Sequence, residues 1–442
     1  SATVLVSLSG LRLTGLPTYD AFCFATGITV VAVAAASLTV VPALCRLAGA
    51  RLLPRHVRRG VARTGTPLTA RWAERVARRP LVWAFVGVTV MVTLALPTLD
   101  MRTWPQDAST QSTDLTTRAA YDLVAEEYGA GANGPLTIVV DLEQVDGTEV
   151  EELSGKLAAE PGIVAVSRTV NSPDGAIAVF ELEPAFGASD ARTRELVRDL
   201  RSSLPTGVEL TGTTALFADI ADMFDKRLWI VIAFVVAMSF LLLTLVFRSV
   251  LIPLKAAVMN LLSIGAAYGV LTAVFQWGWG AQLFGVDQAM PVSSWIPILI
   301  FAILFGLSMD YEVFLLSRIR ERWLAGEDTR TSVTRGLADT GRVITAAAAI
   351  MVAVFLGFAS EVDVVIKMLG VGMATAILLD ATVVRMVLVP ATMTLLGRWN
   401  WWLPRWIDRL LPTVHLEAVA VLERPVTTEP TETARKRSPV GV

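Results

Sequence analysis

Hydrophobic residues run in long blocks at about 21–45, 81–99, 228–247, 251–275, 294–317, 341–359 and 365–393. A helix needs about 20 such residues to cross the hydrocarbon core of a bilayer, so seven spans are predicted. A further stretch, 2–16, reads as the end of a helix whose beginning is absent. It carries no basic n-region and no cleavage site, so it is not a signal peptide. The chain is therefore expected to be the C-terminal part of something longer.

Between 101 and 226 the pattern changes. Leu136, Ile138, Val140 and Leu142 alternate with other residues, as in a half-buried strand. Thr148-Glu149-Val150-Glu151 fits a capping box, and Val150, Leu153 and Leu157 then share a helical face. Two strand-like runs, Ile163–Val170 and Ala176–Leu182, flank the turn signal Asn171-Ser172-Pro173-Asp174-Gly175. A helix over 190–203 aligns Val197, Leu200 and Leu204, and Val208–Thr211 closes the set. The order β-α-β-β-α-β predicts a split βαβ, ferredoxin-like α+β domain. The fold class expected is thus a polytopic α-helical membrane protein with one α+β domain outside the membrane.

Composition agrees: 54% of the 442 residues are hydrophobic and mean hydropathy is +0.57. The net charge of −2 hides a strong asymmetry. Residues 46–80 hold ten Arg against the single acid Glu74, whereas 101–226 hold 22 acids against nine bases. Basic loops stay cytoplasmic, which puts 46–80 inside, 101–226 outside, 276–293 outside, and both 318–340 and the C-terminus inside. Cys23 and Cys45 lie about 33 Å apart along one predicted helix and cannot pair. His56 and His415 sit in polar segments, so no metal site is expected. Without a Walker-type loop, ATP is not the obvious energy source. No cofactor and no nucleic-acid partner is expected.

An internal repeat is also visible. Pro42-Ala43-Leu44, Leu47 and Gly49 recur 348 positions later at Pro390-Ala391-Thr392, Leu395 and Gly397. Parallel repeats of this kind are common in transporters. After the last span, Trp399, Trp401, Trp402 and Trp406 among arginines form an expected interfacial belt, and 413–442 has a disordered composition.

Asp310 is the residue whose position is hardest to explain without a function. It lies within the apolar run Trp295–Leu316, about 12 Å from the Arg-rich end. An acid at that depth costs about 2.5–3.5 kcal/mol on insertion scales. Asp310 and Tyr311 are therefore the candidate proton-carrying pair. Gly306, one turn earlier, would let a neighbouring helix approach the carboxylate, and Ser317 extends a small polar stripe. Asp380 is the second acid within a span. Arg385 lies five residues on, about 140° around an α-helix, so the two need not be partners. Glu312 points away from Asp310 and is expected to pair with a basic group near the inner face. Asp380, Arg385 and Glu312 form a candidate charge network. Asp363 and Lys367 read as a local ion pair or as solvated. Asn260 reads as an interhelical hydrogen bond.

With these residues in view, the chain resembles the C-terminal portion of an MmpL/YdfJ-type transporter of the resistance-nodulation-division (RND) superfamily. The resemblance rests on Gly306–Glu321 with the preceding Phe301-Ala302-Ile303-Leu304-Phe305, on Arg248–Lys255, and on Asp380–Pro390. It implies twelve spans in two halves for a whole protein. Residues 1–45 would then hold the end of span 5 and span 6, 46–80 an Arg-rich cytoplasmic linker, and 81–100 span 7. A porter domain would fill 101–226 and spans 8–12 would fill 227–397, ahead of a cytoplasmic segment and tail at 398–442. The family's relay uses Asp-Tyr pairs on spans 4 and 10; Asp310-Tyr311 matches the second, and the first has no counterpart here. The implied activity is proton-driven export of hydrophobic or lipidic molecules or drugs across the bacterial inner membrane. The implied partners are the bilayer, protons, the cargo, and the missing N-terminal half or further copies of the chain.

Two other readings remain open. Paired aspartates within a membrane also mark intramembrane aspartyl proteases, but Gly306-Leu307-Ser308-Met309 lacks that class's Gly-x-Gly-Asp arrangement. A non-transporting scaffold would use the spans only as anchors, and would give no reason to place Asp310 in lipid.

Overall fold

The structure, a computed structural model, describes residues 2–49 and 68–410. Most of 46–80, His56, His415 and the tail from 411 onward therefore lie outside the described residues. Two compact units are distinguished, residues 1–403 and 404–442; of the second, only the short helix Arg405–Leu410 is described.

The larger unit opens with α1 (Ala2–Ser9), a tight turn over Gly10–Thr14, and α2 (Pro17–Ala48). Then come α3 (Leu68–Arg78) and α4 (Pro80–Ala95). The polar segment contributes β1 (Thr103–Trp104), α5 (Thr116–Tyr128), β2 (Leu136–Asp141), α6 (Gly147–Ala158), β3 (Ile163–Val166), β4 (Val170–Asn171), β5 (Ile177–Pro184), α7 (Ala191–Ser203) and β6 (Val208–Thr211). Helices α8 (Thr213–Phe247) and α9 (Leu251–Leu271) follow, then β7 (Val292–Ser293), α10 (Trp295–Leu324), α11 (Thr329–Phe358) and α12 (Val364–Leu379). A wide π-helical segment, Asp380–Leu388, and α13 (Val389–Leu396) complete the last span. Among the described residues, seven helical segments are long and apolar enough to cross a membrane, and they coincide with the seven blocks in the sequence. This is a polytopic membrane protein.

In the polar segment the main strands lie in the order β3-β5-β2-β6, all antiparallel, with β4 also on β5. The alternation expected for the first strand holds: Leu136, Ile138 and Val140 are fully buried. They pack with Phe180 and Leu182 of β5, and with Val150 and Leu157 of α6 and Val197 and Leu200 of α7. The run Ile163–Val170 is split rather than continuous, with residues 167–169 outside either strand. The cap of α6 also differs from expectation. Asp146, not Thr148, accepts from the Gly147 amide, while Thr148 donates its hydroxyl to Asp146. An aspartate two residues upstream offers a charged acceptor to the free amides, which the helix dipole favours over a hydroxyl.

Helix α8 ties the two parts together. Ala215, Ala218 and Ala221 sit in the core of the α/β segment, whereas Val231, Val235, Leu243 and Phe247 sit in the helical core. The 35-residue helix is continuous, about 52 Å long, so the expected boundary at 226/227 is not a break in the chain's structure. Arg194 bridges to Asp222 and Asp225, and Arg201 to Asp219, pinning α7 onto the first turns of α8. The basic loop expected over 318–340 is also mostly helical: α10 runs on to Leu324 and α11 starts at Thr329, leaving a short turn capped by Asp328.

The internal repeat has a backbone counterpart. Gly49 (φ 48°, ψ −131°) and Gly397 (φ 54°, ψ −127°) end their helices in nearly the same conformation. That region is open only to glycine at low cost, so the repeat preserves a chain reversal as well as letters.

Asp363 and Lys367 do not pair. Asp363 caps α12, accepting from the amides of Val365 (2.8 Å) and Ile366 (3.1 Å). Lys367 is buried and donates to the carbonyls of Phe284 (2.6 Å) and Gly285 (3.2 Å). One turn of helix aims the two side chains at different neighbours. Asp363→Ala is accordingly expected to cost about 0.5–2 kcal/mol through the lost cap, seen as a lower midpoint in thermal unfolding. A variant that melts like the parent would show that the cap is dispensable.

Candidate functional site

Helix α10 carries the candidate groups on two opposite sides. One side meets α1. Gly306 leaves no room for a side chain, since a Cβ there would stand 2.9 Å from the Val4 Cα. This close approach lets Ser7 donate to the Ala302 carbonyl (2.5 Å) and Thr3 donate its hydroxyl to the Asp310 carboxylate. The role expected for Gly306 is thus realised, and the neighbour is α1. Asp310 is only partly buried by the described residues.

The other side of α10 meets α9 and the last span, where charge is concentrated. Arg385 donates to Asp380 Oδ2 from Nε (2.9 Å) and Nη2 (2.6 Å), with both side chains more than nine-tenths buried. Their pairing corrects the 140° separation expected of an α-helix. Residues 380–388 form a π-helical segment, whose i→i+5 turn returns residue i+5 close to residue i. Arg385 Nη2 also donates to the Ser308 carbonyl (2.6 Å), which fixes the pair to α10. The Arg385 guanidinium lies 5.2 Å from the Tyr311 ring centre, within cation–π range.

Ser308 Oγ stands 3.0 Å from Asp380 Oδ1 and 2.7 Å from the Asn260 side chain. A hydroxyl has one proton, so it cannot donate to two acceptors. The set closes if the Asn260 amide presents its NH2 to Ser308, and Ser308 donates to Asp380. That orientation also satisfies the otherwise unpartnered Asn260 Nδ2. The interhelical role expected of Asn260 is realised on this route. A cavity of about 10 Å³ remains between Ser308, Tyr311, Asp380 and Arg385, about the size of one water.

Glu312 is buried and faces away from Asp310, toward Lys255 of α9, with weaker electrostatic contact to Arg385 and Asp380. Lys255 is the nearby cation that the sequence left unnamed, but the expected ion pair with Glu312 is not formed among the described residues. Glu312 Oε1 and Lys255 Nζ are buried, and neither makes a hydrogen bond among the described residues. Sequence reasoning passed over Lys255 and Ser308. Lys255 is flanked by apolar residues on a span, and a buried cation there was a signal in its own right. The candidate residues thus divide into an Asp310 side, facing Thr3, and a network of Asp380, Arg385, Ser308, Asn260, Glu312 and Lys255. Tyr311 lies against the network.

A larger cavity near the spans, about 730 Å³, is bounded by Gln106, Gln111, Phe217, Trp295, Val362 and Ile366. It lies between the α/β segment and the opposite ends of α10 and α12 from the Arg-rich turn. Among the described residues no cluster of acids, histidines or cysteines suits a metal ion.

The MMPL family profile matches residues 1–83 and 113–426. The chain belongs to the MMPL family. Among curated relatives, this MMPL-family chain is 34% identical over 421 residues to the membrane protein YdfJ of Bacillus subtilis, covering 94% of this chain and 58% of YdfJ. It is 35% identical over 432 residues to MmpL11 of Mycolicibacterium smegmatis, named a mycolic acid-containing lipids exporter, covering 94% and 45%. It is 37% identical over 434 residues to MmpL11 of Mycobacterium tuberculosis H37Rv, named a heme uptake protein, covering 94% and 44%. The chain spans about half the length of the curated relatives it matches.

Proposed function

We propose that this MMPL-family chain acts in proton-motive-force-driven export of hydrophobic or lipidic molecules across the bacterial inner membrane, with Asp310 and Tyr311 as the proton-carrying pair. The observation that carries the proposal is the placement of Asp310. It lies inside a spanning helix at a glycine-opened contact with α1, where the Thr3 hydroxyl donates to it. A charged carboxylate inside a span is costly, so its charge state is coupled to how the helices around it pack. The Asp380–Arg385 pair is different: locked by two hydrogen bonds, it suits holding one packing of the helices. In this reading Asp310 changes charge, the α1–α10 contact changes with it, and the network of Asp380, Arg385 and Glu312 biases the alternative.

The α/β segment is read as a ferredoxin-like porter domain outside the cell membrane. Its strand order and antiparallel pairing support that fold, and the acidic 101–226 opposite the arginine-rich 46–80 supports that side. Because α8 runs unbroken from that segment into the spans, a shift of the helices is transmitted to it directly. The cavity beside Trp295 and Phe217 is the natural place for an amphiphilic cargo. The names of the relatives fit a largely apolar cargo, mycolic acid-containing lipids in one and heme in another, although the second names uptake rather than export.

The test uses proteoliposomes of the full-length protein under an imposed proton gradient, wild type against Asp310→Asn, with internal pH recorded. Gradient-driven acidification is expected in the wild type and is expected to fall at least about tenfold in the variant, a typical loss when a proton-transfer group is removed. Melting should be unchanged, because asparagine can still accept from Thr3. Equal flux in the two proteins, or none in either with lipid cargo present, would refute the relay and favour a scaffold.

A further inference from the structure

Helix α3 is amphipathic and has one face left exposed by the described residues. Ala73, Val76 and Ala77 are buried, while Arg71, Glu74, Arg75 and Arg78 are exposed. Glu74 is engaged with Arg78 at 2.8 Å. Arg71 and Arg75, one turn apart on the same face, have no carboxylate in ion-pair contact among the described residues. They edge a groove of about 610 Å³. Arg71, Trp72 and Arg75 form one wall, and Thr345 of α11 with Thr382 and Met386 of the last span form the other. The groove opens onto the outer surface of the spans: Thr345 and Thr382 are exposed, and so is Leu378, one turn before Thr382.

Charge and shape together select the occupant. Two unpaired guanidiniums, one turn apart, match the oxygens of a phosphodiester. The opposite wall is hydrocarbon and threonine methyl at the surface of spanning helices, which suits an acyl chain and offers nothing to a water-soluble anion. The position, immediately before the span that starts at Pro80, is where basic side chains meet the anionic leaflet.

We propose that this groove binds one anionic glycerophospholipid, its phosphate between Arg71 and Arg75 and an acyl chain running past Thr345, Thr382 and Leu378. The site reaches the charged network through one residue. Trp72 Nε1 donates to the Met386 carbonyl (3.0 Å), and Met386 directly follows Arg385 in the π-helical segment. Trp72 is braced in turn by Trp83, ring centres 5.1 Å apart. A lipid seated against α3 thus steadies the segment that holds Asp380 and Arg385 together. The site is separate from cargo and does not depend on the direction of transport.

The experiment is native mass spectrometry of the full-length protein, exposed to mixed vesicles of phosphatidylglycerol and phosphatidylcholine and released in mild detergent. The wild type is expected to keep one phosphatidylglycerol in preference to phosphatidylcholine. In the Arg71→Ala/Arg75→Ala variant that preference is expected to fall roughly 10- to 30-fold. Thr345→Trp, which fills the groove but keeps both arginines, should lose the retained lipid as well. All three positions are exposed, so thermal midpoints should stay close to the parent's. Unchanged retention in either variant overturns the site: intact binding in Thr345→Trp would mean that the arginines act only as a diffuse basic surface. Displacement of the lipid by millimolar inorganic phosphate would also overturn it, since the occupant would then be a soluble anion.

Discussion

Arg385→Ala is expected to destabilise the protein by about 3–5 kcal/mol, the usual consequence of removing one partner of a buried ion pair. The loss of the attraction itself is the smaller part. The larger part is the Asp380 carboxylate, left buried with the Ser308 hydroxyl as its hydrogen-bond partner. The Ser308 carbonyl also loses the guanidinium that ties α10 to the last span. The paired change Asp380→Leu/Arg385→Met should recover much of the loss, because well-packed apolar side chains can replace a buried pair without leaving a charge behind. Thermal unfolding in detergent, followed by tryptophan fluorescence across the wild type, Asp380→Leu, Arg385→Met and the double variant, measures the coupling. A single Arg385→Ala change that leaves the midpoint in place would mean that the pair does not hold these helices together.

The second large effect is expected at Gly269. It faces α4 so closely that a Cβ would stand 1.9 Å from the Leu94 carbonyl oxygen. That atom is backbone and cannot rotate away, so even Gly269→Ala must push α9 and α4 apart. Overpacking of this kind costs about 1–3 kcal/mol and sometimes more. Gly265, one turn earlier on the same helix, is the internal control. A Cβ there meets only the Ala95 Cβ at 3.6 Å, an ordinary contact. Gly265→Ala should therefore be neutral or stabilising by up to about 1 kcal/mol, from the higher helix propensity of alanine. Opposite signs for the two substitutions in the same melting assay are the expected result. Equal behaviour would show that the α4–α9 contact is looser than the structure describes.

Both substitutions concern contacts that no periodicity reports. Length and hydropathy were enough to place all seven spans, because crossing a bilayer demands about 20 apolar residues whatever the tertiary fold. Alternation and turn chemistry were enough for the order of strands and helices between 136 and 211, though not for the break after Val166 or the Asp146 cap, because burial on one face of a sheet imposes a period of two. Asp310 stood out for the same kind of reason: a charge inside a span is costly wherever its helix packs. The match of Asp310-Tyr311 and its surroundings to a transporter family was likewise legible in the letters, and the family assignment agrees.

What a sequence determines about this protein is thus whatever depends on the solvent, on local sterics and on the period of one element. Which groups meet is another matter. The Asp380–Arg385 pair depends on a π-helical segment, and an α-helical count of residues places the two apart. Lys367 finds carbonyls across a loop instead of the aspartate one turn away. Glu312 and Lys255 become neighbours only when α9 packs on α10, and the α3 groove exists only when that helix lies against Met386. Each of these joins residues distant in the chain or spaced by a non-standard turn. Their energies reside in desolvation and contact between elements, which appear only once the helices are packed.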